Sequence, residues 1–163
     1  MTSPDIKKGL TEGLLAGYGG ESRFDTVRRG PFRFKRSRLD GDETVYHDEW
    51  LAGRTGGGQE VVTVGEENFT RLYAGGAIDE TKLKRLEVNE KEIIVYLKRK
   101  ILELGGRTRM ETDCLPEPDE DWRYSYRVVE KVEALEMTVG RETIEYREET
   151  VFVHFFLLCP VNL

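Results

Sequence analysis

Cysteine and histidine are scarce in this chain of 163 residues, which contains two of each. Cys114 and Cys159 are too few for a disulfide framework, and they lack the close paired spacing of structural zinc ligands. The chain is long enough to bury a hydrophobic core without such cross-links. We therefore expect both cysteines to be ordinary core thiols in a reducing compartment.

Long apolar runs are missing as well. No stretch approaches the roughly 18 consecutive apolar residues that span a bilayer, and the first residues lack the basic start and apolar segment of a signal peptide. We expect a cytoplasmic protein with no membrane partner. The formal charge of −6 and the pI near 5.2 also argue against a protein whose main role is to coat nucleic acid.

Familiar catalytic motifs are absent too. The sequence contains no Gly-x-Ser-x-Gly nucleophile elbow and no phosphate-binding Gly-x-x-x-x-Gly-Lys. The three glycines at 56–58 follow a predicted hairpin rather than opening a helix, so they indicate a loop or bulge. We expect no cofactor and no metal ion, because His47 with Glu49 and Glu60 would offer one imidazole and two weak carboxylate ligands.

Local capping signals predict a first helix near the start of the chain. Ser3 is a good N-cap and Pro4 suits the first helical position, while Ile6, Leu10 and Leu14 recur four apart on one face. Glycines between 17 and 20 should end this helix.

A second helix is predicted over 89–104 as the longest helix of the chain. Asn89 caps it with support from Glu92 three residues later, and a double glycine at 105–106 ends it. Asp79 predicts a short extra turn ahead of it. The residues expected to face the sheet are Ile93, Ile94, Leu97, Ile101 and Leu104.

Strand-like alternation follows each helix, over about 24–73 and 107–158. The segment 58–62, Gly-Gln-Glu-Val-Val, is similar to the segment 140–144, Gly-Arg-Glu-Thr-Ile. Either the chain contains an internal duplication, or two unrelated hairpins look alike because each follows a glycine.

We predict an α+β fold built from two pseudo-repeats of a helix followed by antiparallel strands, with the helices packed on one face of the sheet or sheets. The half-repeats cover approximately 4–76 and 89–158 within a single domain, 1–163. A cleft would then lie between the halves.

The Asp-Gly pair at 40–41 predicts a two-residue hairpin turn, because both residues tolerate positive φ. This turn would place Lys35 opposite Tyr46. The basic segment 28–38 has the aromatic interleaving seen in nucleic-acid-binding strands, but the predicted register sets several of its basic residues opposite acids. We therefore expect a charged strand face with its two phenylalanines turned inward, and no nucleic-acid partner.

The segment 46–50 is the densest collection of functional side chains. On a strand, Tyr46, Asp48 and Trp50 share one face, while His47 and Glu49 share the other. Aromatic walls with a few carboxylates are typical of a ligand pocket.

Glu60 and Glu142 occupy matching positions in the two similar segments, so they would face each other as a carboxylate pair if the duplication is real. The alternative is that both are solvent-facing strand residues. Which face Glu60 shares depends on a register that the sequence leaves open, since a slip of one residue reverses it.

Several of these residues resemble a pattern found in an uncharacterised prokaryotic family of domains of unknown function. The likeness covers about 18–76, and 140–153 more loosely. The matching positions are Tyr18-Gly19-Gly20, Asp40-Gly41-Asp42, Tyr46, Asp48, Gly53, Gly58-Gln59-Glu60-Val61-Val62, Tyr73, Gly75-Gly76 and Gly140-Arg141-Glu142.

The resemblance implies repeated Gly-x-Glu strands and, because some members are attached to helix-turn-helix regulators, a sensing role. The chain departs from the pattern at 154–160, where members carry an aromatic residue followed by two glycines. A site that depended on those glycines would be altered here.

Our leading hypothesis is a small-molecule-binding or sensing module. The predicted ligand-binding residues are Tyr46, Asp48, Trp50, Glu60, Tyr73 and Glu142. One alternative is an enzyme that uses Glu60 or Glu142 as a general acid or base, which a raised pKa would favour. Another is a homo-oligomeric protein, such as a homodimer, joined through the apolar strand 151–158.

Overall fold

The computed structural model describes residues 2–20, 23–41 and 43–162. These residues form three α-helices, two short 3-10 turns and eight strands. The helices are α1 (Pro4–Gly19), α2 (Glu80–Arg85) and α3 (Glu90–Leu104), and the 3-10 turns span Gly105–Arg107 and Glu133–Leu135. The strands are β1 (Arg23–Arg29), β2 (Phe32–Asp40), β3 (Thr44–Leu51), β4 (Thr55–Val64), β5 (Glu67–Ala77), β6 (Trp122–Val132), β7 (Met137–Tyr146) and β8 (Glu149–Val161).

The helix ends lie where the capping signals predicted them. The Ser3 side chain accepts a hydrogen bond from the backbone N–H of Ile6, and Gly20 ends α1 in the left-handed conformation, with φ of +83°. Asn89 and Glu92 form the reciprocal capping box of α3, and Asp79 caps α2. The prediction that α3 is the longest helix is wrong by one residue, because α1 has 16 residues and α3 has 15.

All eight strands belong to one antiparallel sheet, in the order β1-β2-β3-β4-β5-β8-β7-β6. This order contradicts the predicted pseudo-repeats of helix and strands. Five strands follow α1 but three follow α3, and the later strands join the sheet through β8 rather than β6. The strands after α1 and the strands after α3 therefore belong to one continuous sheet.

One face of the sheet carries the core. Helix α1 packs across β2, β3, β4 and β5. Helix α3 packs against β6, where Tyr96 stacks on Trp122 at 4.8 Å between ring centroids. Gly13 permits the close approach of α1, because a Cβ atom there would lie 2.1 Å from the ring of Tyr46. No helix among the described residues is long and apolar enough to cross a membrane.

Three local predictions need correction. The hairpin after β2 has a longer loop than the Asp-Gly turn, since Asp40 still pairs with Val45, and Lys35 lies opposite Trp50 rather than Tyr46. The glycines at 56–58 lie within β4 instead of a loop. In each case the strand pairing continues into residues that the local turn signals had assigned to a turn or loop, because register is set across the sheet.

Side-chain orientation also departs from prediction in two places. Phe32 is 54% exposed, because it and the next phenylalanine lie on the sheet face opposite Lys35 and Ser37, which line the helix side. Ile94 is 44% exposed, whereas the other four predicted apolar residues of α3 are buried. The helical period places Ile94 at the edge of the buried stripe rather than within it.

Candidate functional site

The helix-covered face of the sheet carries an open cavity of about 500 Å³. Its walls come from β1 to β5 and β8, and α1 and α3 cover it. Aromatic rings from three different strands line it: Phe24, Trp50 and Tyr73. Phe24 and Trp50 meet edge to face, with ring centroids 6.2 Å apart. The cavity therefore has an apolar, aromatic wall.

Glycine residues in β4 and β5 leave room for this cavity. Gly58 lies between Trp50 and Tyr73 in the strand register, and a Cβ atom there would come within 2.6 Å of the Tyr73 hydroxyl. Gly75 has φ of +145°, a conformation that side chains rarely adopt, and a Cβ atom there would lie 2.0 Å from the Val153 carbonyl oxygen. Larger residues at these positions would close the space or displace the strands.

Glu60 lies at the floor of the cavity and is fully engaged. It pairs with the guanidinium of Arg71 through two hydrogen bonds, one from Nη2 at 2.6 Å, and it accepts a third from the Tyr46 hydroxyl at 2.6 Å. Burial opposes ionisation of Glu60, but the charge and hydrogen bonds of Arg71 outweigh it and lower the pKa of the carboxyl. Glu60 is thus an anion neutralised inside the core.

Glu142 is held by the same kinds of group. Both of its oxygens accept hydrogen bonds at 2.8 Å from Arg109, and the Tyr124 hydroxyl donates another at 2.6 Å. Burial opposes its ionisation, but Arg109 outweighs this and lowers the pKa of Glu142 to about 2. Nδ1 of His154 lies 3.6 Å from Glu142 and has no hydrogen-bond partner among the described residues.

Arg109 connects the two ion pairs. Its backbone has φ of +58°, which is uncommon for a residue with a side chain. Its carbonyl oxygen accepts a hydrogen bond at 2.8 Å from Arg71, and its guanidinium lies 4.8 Å from the centre of the Phe156 ring. These contacts hold the unusual backbone in place and tie both glutamates into one buried network.

Asp48 differs from both glutamates. It faces the cavity beside Glu60 in the register, and the hydrogen bond it accepts comes from the Tyr73 hydroxyl at 2.9 Å. Within the part of the chain that the structure describes, no cationic side chain lies within ion-pair distance of it. Burial, together with the negative charge of Glu60, raises the pKa of Asp48 to about 8.

The structure brings together most of the predicted ligand-binding residues. Tyr46, Asp48, Trp50, Glu60 and Tyr73 all line the cavity. Their shared face follows from the strand register, in which Asp48 lies opposite Glu60. The ligand-binding role of these residues stays a prediction.

The sixth predicted residue, Glu142, does not line the cavity, but it lies opposite His154 in the strand register, and His154 does line it. Glu60 and Glu142 do not face each other as a carboxylate pair, since each is occupied by its own arginine.

Sequence reasoning did not identify Arg71, Arg109 and His154 as part of this site. Arg71 lies directly opposite Glu60, so a correct β4–β5 register would have found it. Arg109 comes from an irregular segment after α3, and no local signal in the sequence indicates its partner. The described residues form no cluster of three or more groups suited to holding a metal ion.

Three of the six basic residues in 28–38 form ion pairs with acids among the described residues. Arg29 contacts Glu49, and Arg36 forms a two-point contact with Asp25. His47 lies 3.9 Å from Glu49 on the face of β3 opposite the cavity. His47 and Glu49, which with Glu60 would have formed the metal site, therefore lie on the opposite side of the sheet from Glu60.

The strand suggested for oligomer formation is not a sheet edge. β8 pairs with β5 on one side and β7 on the other, so its backbone ladder is already used. Its outer face does expose Phe155 at 48%, near Leu72 at 42%. A homodimer through this face stays a prediction.

Comparison of the chain with protein-family models, with curated proteins and with solved structures finds no match.

Proposed function

We propose that the protein binds a small organic molecule in the cavity between α1, α3 and the helix-covered face of the sheet. The observation that carries this proposal is an aromatic-walled cavity of about 500 Å³ with a polar floor. Ligand sites commonly have volumes of about 300–1,000 Å³, apolar walls and a few fixed polar groups. A sensing role, as the sequence resemblance implied, would use the same binding event.

The arrangement of the floor favours binding over the acid–base chemistry considered for the glutamates. A general base needs a pKa near the working pH, whereas Arg71 and Arg109 lower the pKa values of Glu60 and Glu142. Their guanidiniums also occupy the carboxylate oxygens that would take up a proton. We therefore assign the two glutamates to holding the floor in shape.

The test uses a matched pair of helix substitutions. Gly17 lines the cavity, and a Cβ atom there would meet the Ser37 hydroxyl oxygen at an ordinary 3.6 Å. The Cβ atom of Gly17→Leu therefore fits without a clash, and we expect its isobutyl group to occupy part of the cavity. Gly19 lies on the same helix with nothing within 4 Å of a built Cβ, so Gly19→Leu is the control. Both changes also improve helix propensity, by up to about 1 kcal/mol.

A library of small organic molecules would be screened by thermal shift against the wild-type protein. A molecule present at about one hundred times its dissociation constant adds about 2.7 kcal/mol of apparent stability. Hits should lose most of their shift with Gly17→Leu and keep it with Gly19→Leu. Hits that stabilise both variants equally would place the binding site elsewhere and overturn the proposal.

A further inference from the structure

The charges around the cavity floor do not balance when every group is ionised. Asp48 and Glu60 line the cavity and Glu142 lies beside it, and these three carboxylates share two buried guanidiniums, those of Arg71 and Arg109. Each glutamate receives an arginine and a tyrosine hydroxyl, while Asp48 receives only a tyrosine hydroxyl. Among the described residues, Asp48 therefore lacks the arginine partner that each of the two glutamates has.

The carboxylate without a cationic partner reaches the ligand space. Asp48 lines the cavity, and its Oδ1 accepts the hydrogen bond from Tyr73. Among the described residues, no donor reaches its Oδ2. Asp48 is half-buried, so an ionised carboxylate there has lost part of its hydration and is stabilised by a partner that neutralises it. A cationic group entering the cavity would supply that partner.

The walls suit the same kind of ligand. Trp50 is on one side of Asp48 along β3, and Tyr73 donates to the carboxylate from β5. Aromatic faces attract ammonium groups, most strongly for tryptophan, and the attraction grows when the cation is desolvated. An aromatic wall beside a lone carboxylate thus favours an organic cation over an anion.

We infer that the ligand carries an ammonium group, which Asp48 binds beside Trp50 and Tyr73. This inference rests on the proposed function, since it requires that the cavity take a small molecule at all. The arginines of the floor do not favour an anion, because Glu60 and Glu142 already occupy them.

The lysine and the other arginine of the lining, Lys35 and Arg54, are exposed, while His154 lies beside Glu142. Arg54 donates to the Ala77 carbonyl oxygen at 2.8 Å. Surface charges of this kind are screened by salt and contribute little to a buried contact. If the ligand were an anion instead, these exposed basic residues would be the groups that bind it.

Three soluble probes of matched shape separate these possibilities. Choline carries a trimethylammonium group, 3,3-dimethylbutan-1-ol carries a neutral group of the same shape, and 2-hydroxyethanesulfonate carries a tetrahedral anion. Binding is followed by protein NMR, with the indole N–H of Trp50 as the site reporter. Trp122 stacks on Tyr96 away from the cavity and is the internal reference.

At pH 9 we expect choline to bind about tenfold or more tightly than the neutral alcohol, and the sulfonate not to bind at Trp50. Asp48→Asn keeps the shape of the side chain and an acceptor for Tyr73, so it should bring this ratio close to one. Glu49→Gln removes one carboxylate from the opposite face of β3, where Arg29 pairs with it, and should leave the ratio unchanged.

The pH dependence supplies a second readout, because the charge of choline is fixed. Asp48 holds a proton near neutral pH, so cation binding must displace it. With its pKa near 8, affinity should rise about tenfold from pH 7 to pH 9. Several other titratable and charged groups face the cavity around Asp48 and are the same in both proteins compared, wild type and Asp48→Asn. They are Tyr18, Lys35, Tyr46, Arg54, Glu60, Arg71, Tyr73, Glu90, Arg109 and His154.

The outcomes distinguish the two levels of the proposal. Equal binding of choline and the alcohol, tighter binding of the sulfonate, or an undiminished choline preference in a folded Asp48→Asn protein would overturn the cation inference while leaving the cavity as a ligand site. If no probe moves the Trp50 signal, and the thermal-shift hits do not distinguish Gly17→Leu from Gly19→Leu, both the inference and the proposed function fail.

Discussion

Replacing Asp48 with asparagine should remove a loss of stability that the wild-type protein suffers between pH 6 and pH 8. In the folded protein, burial and the charge of Glu60 raise the pKa of Asp48 to about 8, from an ordinary value of 3.8. The unfolded chain has no such environment. Between these two pKa values the folded state holds a proton that the unfolded state has released.

The sign of the effect follows from this difference in bound protons. Because the folded state binds more protons in this window, the free energy of unfolding falls as the pH rises. The slope is about 1.4 kcal/mol per pH unit and flattens as the pH approaches the folded pKa. From pH 6 to pH 8 the loss is about 2 kcal/mol, or about 4–8 °C in Tm for a chain of this size.

The assay is urea unfolding of the wild-type protein, Asp48→Asn and Glu49→Gln at pH 6, 7 and 8. Asp48→Asn should gain about 2 kcal/mol relative to the wild-type protein across this range, because asparagine does not ionise. Glu49→Gln tests whether removing any carboxylate from β3 has the same effect. Parallel curves for wild type and Asp48→Asn would show that Asp48 is not held protonated, and would refute this account of the cavity floor.

Two predictions concern the helices. Ile101→Asp should unfold the protein, because a fully buried residue would become an unpaired carboxylate at a cost of several kcal/mol. Leu102→Asp, at a position that is 43% exposed, should still melt cooperatively in circular dichroism. A cooperatively melting Ile101→Asp protein would contradict the packing of α3. Gly13→Ala should lower Tm despite its better helix propensity, because the new Cβ atom would lie 2.1 Å from the Tyr46 ring. Gly19→Ala, where a Cβ atom meets nothing within 4 Å, should raise Tm slightly. A higher Tm for both variants would mean that α1 does not pack closely against β3.

The helices and their ends could be predicted from the sequence because their signals are local. Ser3, Asp79 and Asn89 each cap a helix through a hydrogen bond to a backbone N–H three residues on. Such a bond depends on residues already adjacent in the chain. The alternation that puts Tyr46 and Asp48 on one strand face is local for the same reason.

The sheet order was decided by the tertiary structure. The placement of β8 beside β5 joins residues more than 80 positions apart, such as Tyr73 and Phe156, and it replaces the predicted pseudo-repeats with one sheet. Many pairings satisfy the same alternation pattern, and packing against the helices selects among them. Local similarity between two Gly-x-Glu segments therefore did not determine the topology.

The composition of the site followed a similar division. The sequence alone indicated that aromatic residues and carboxylates in 46–50 share a face, and it singled out Glu60. Only the folded chain brought Arg71 against Glu60 and Arg109 against Glu142, and so left Asp48 without a cationic partner among the described residues. Electrostatic pairing depends on distances across the sheet, which the order of residues along the chain does not fix.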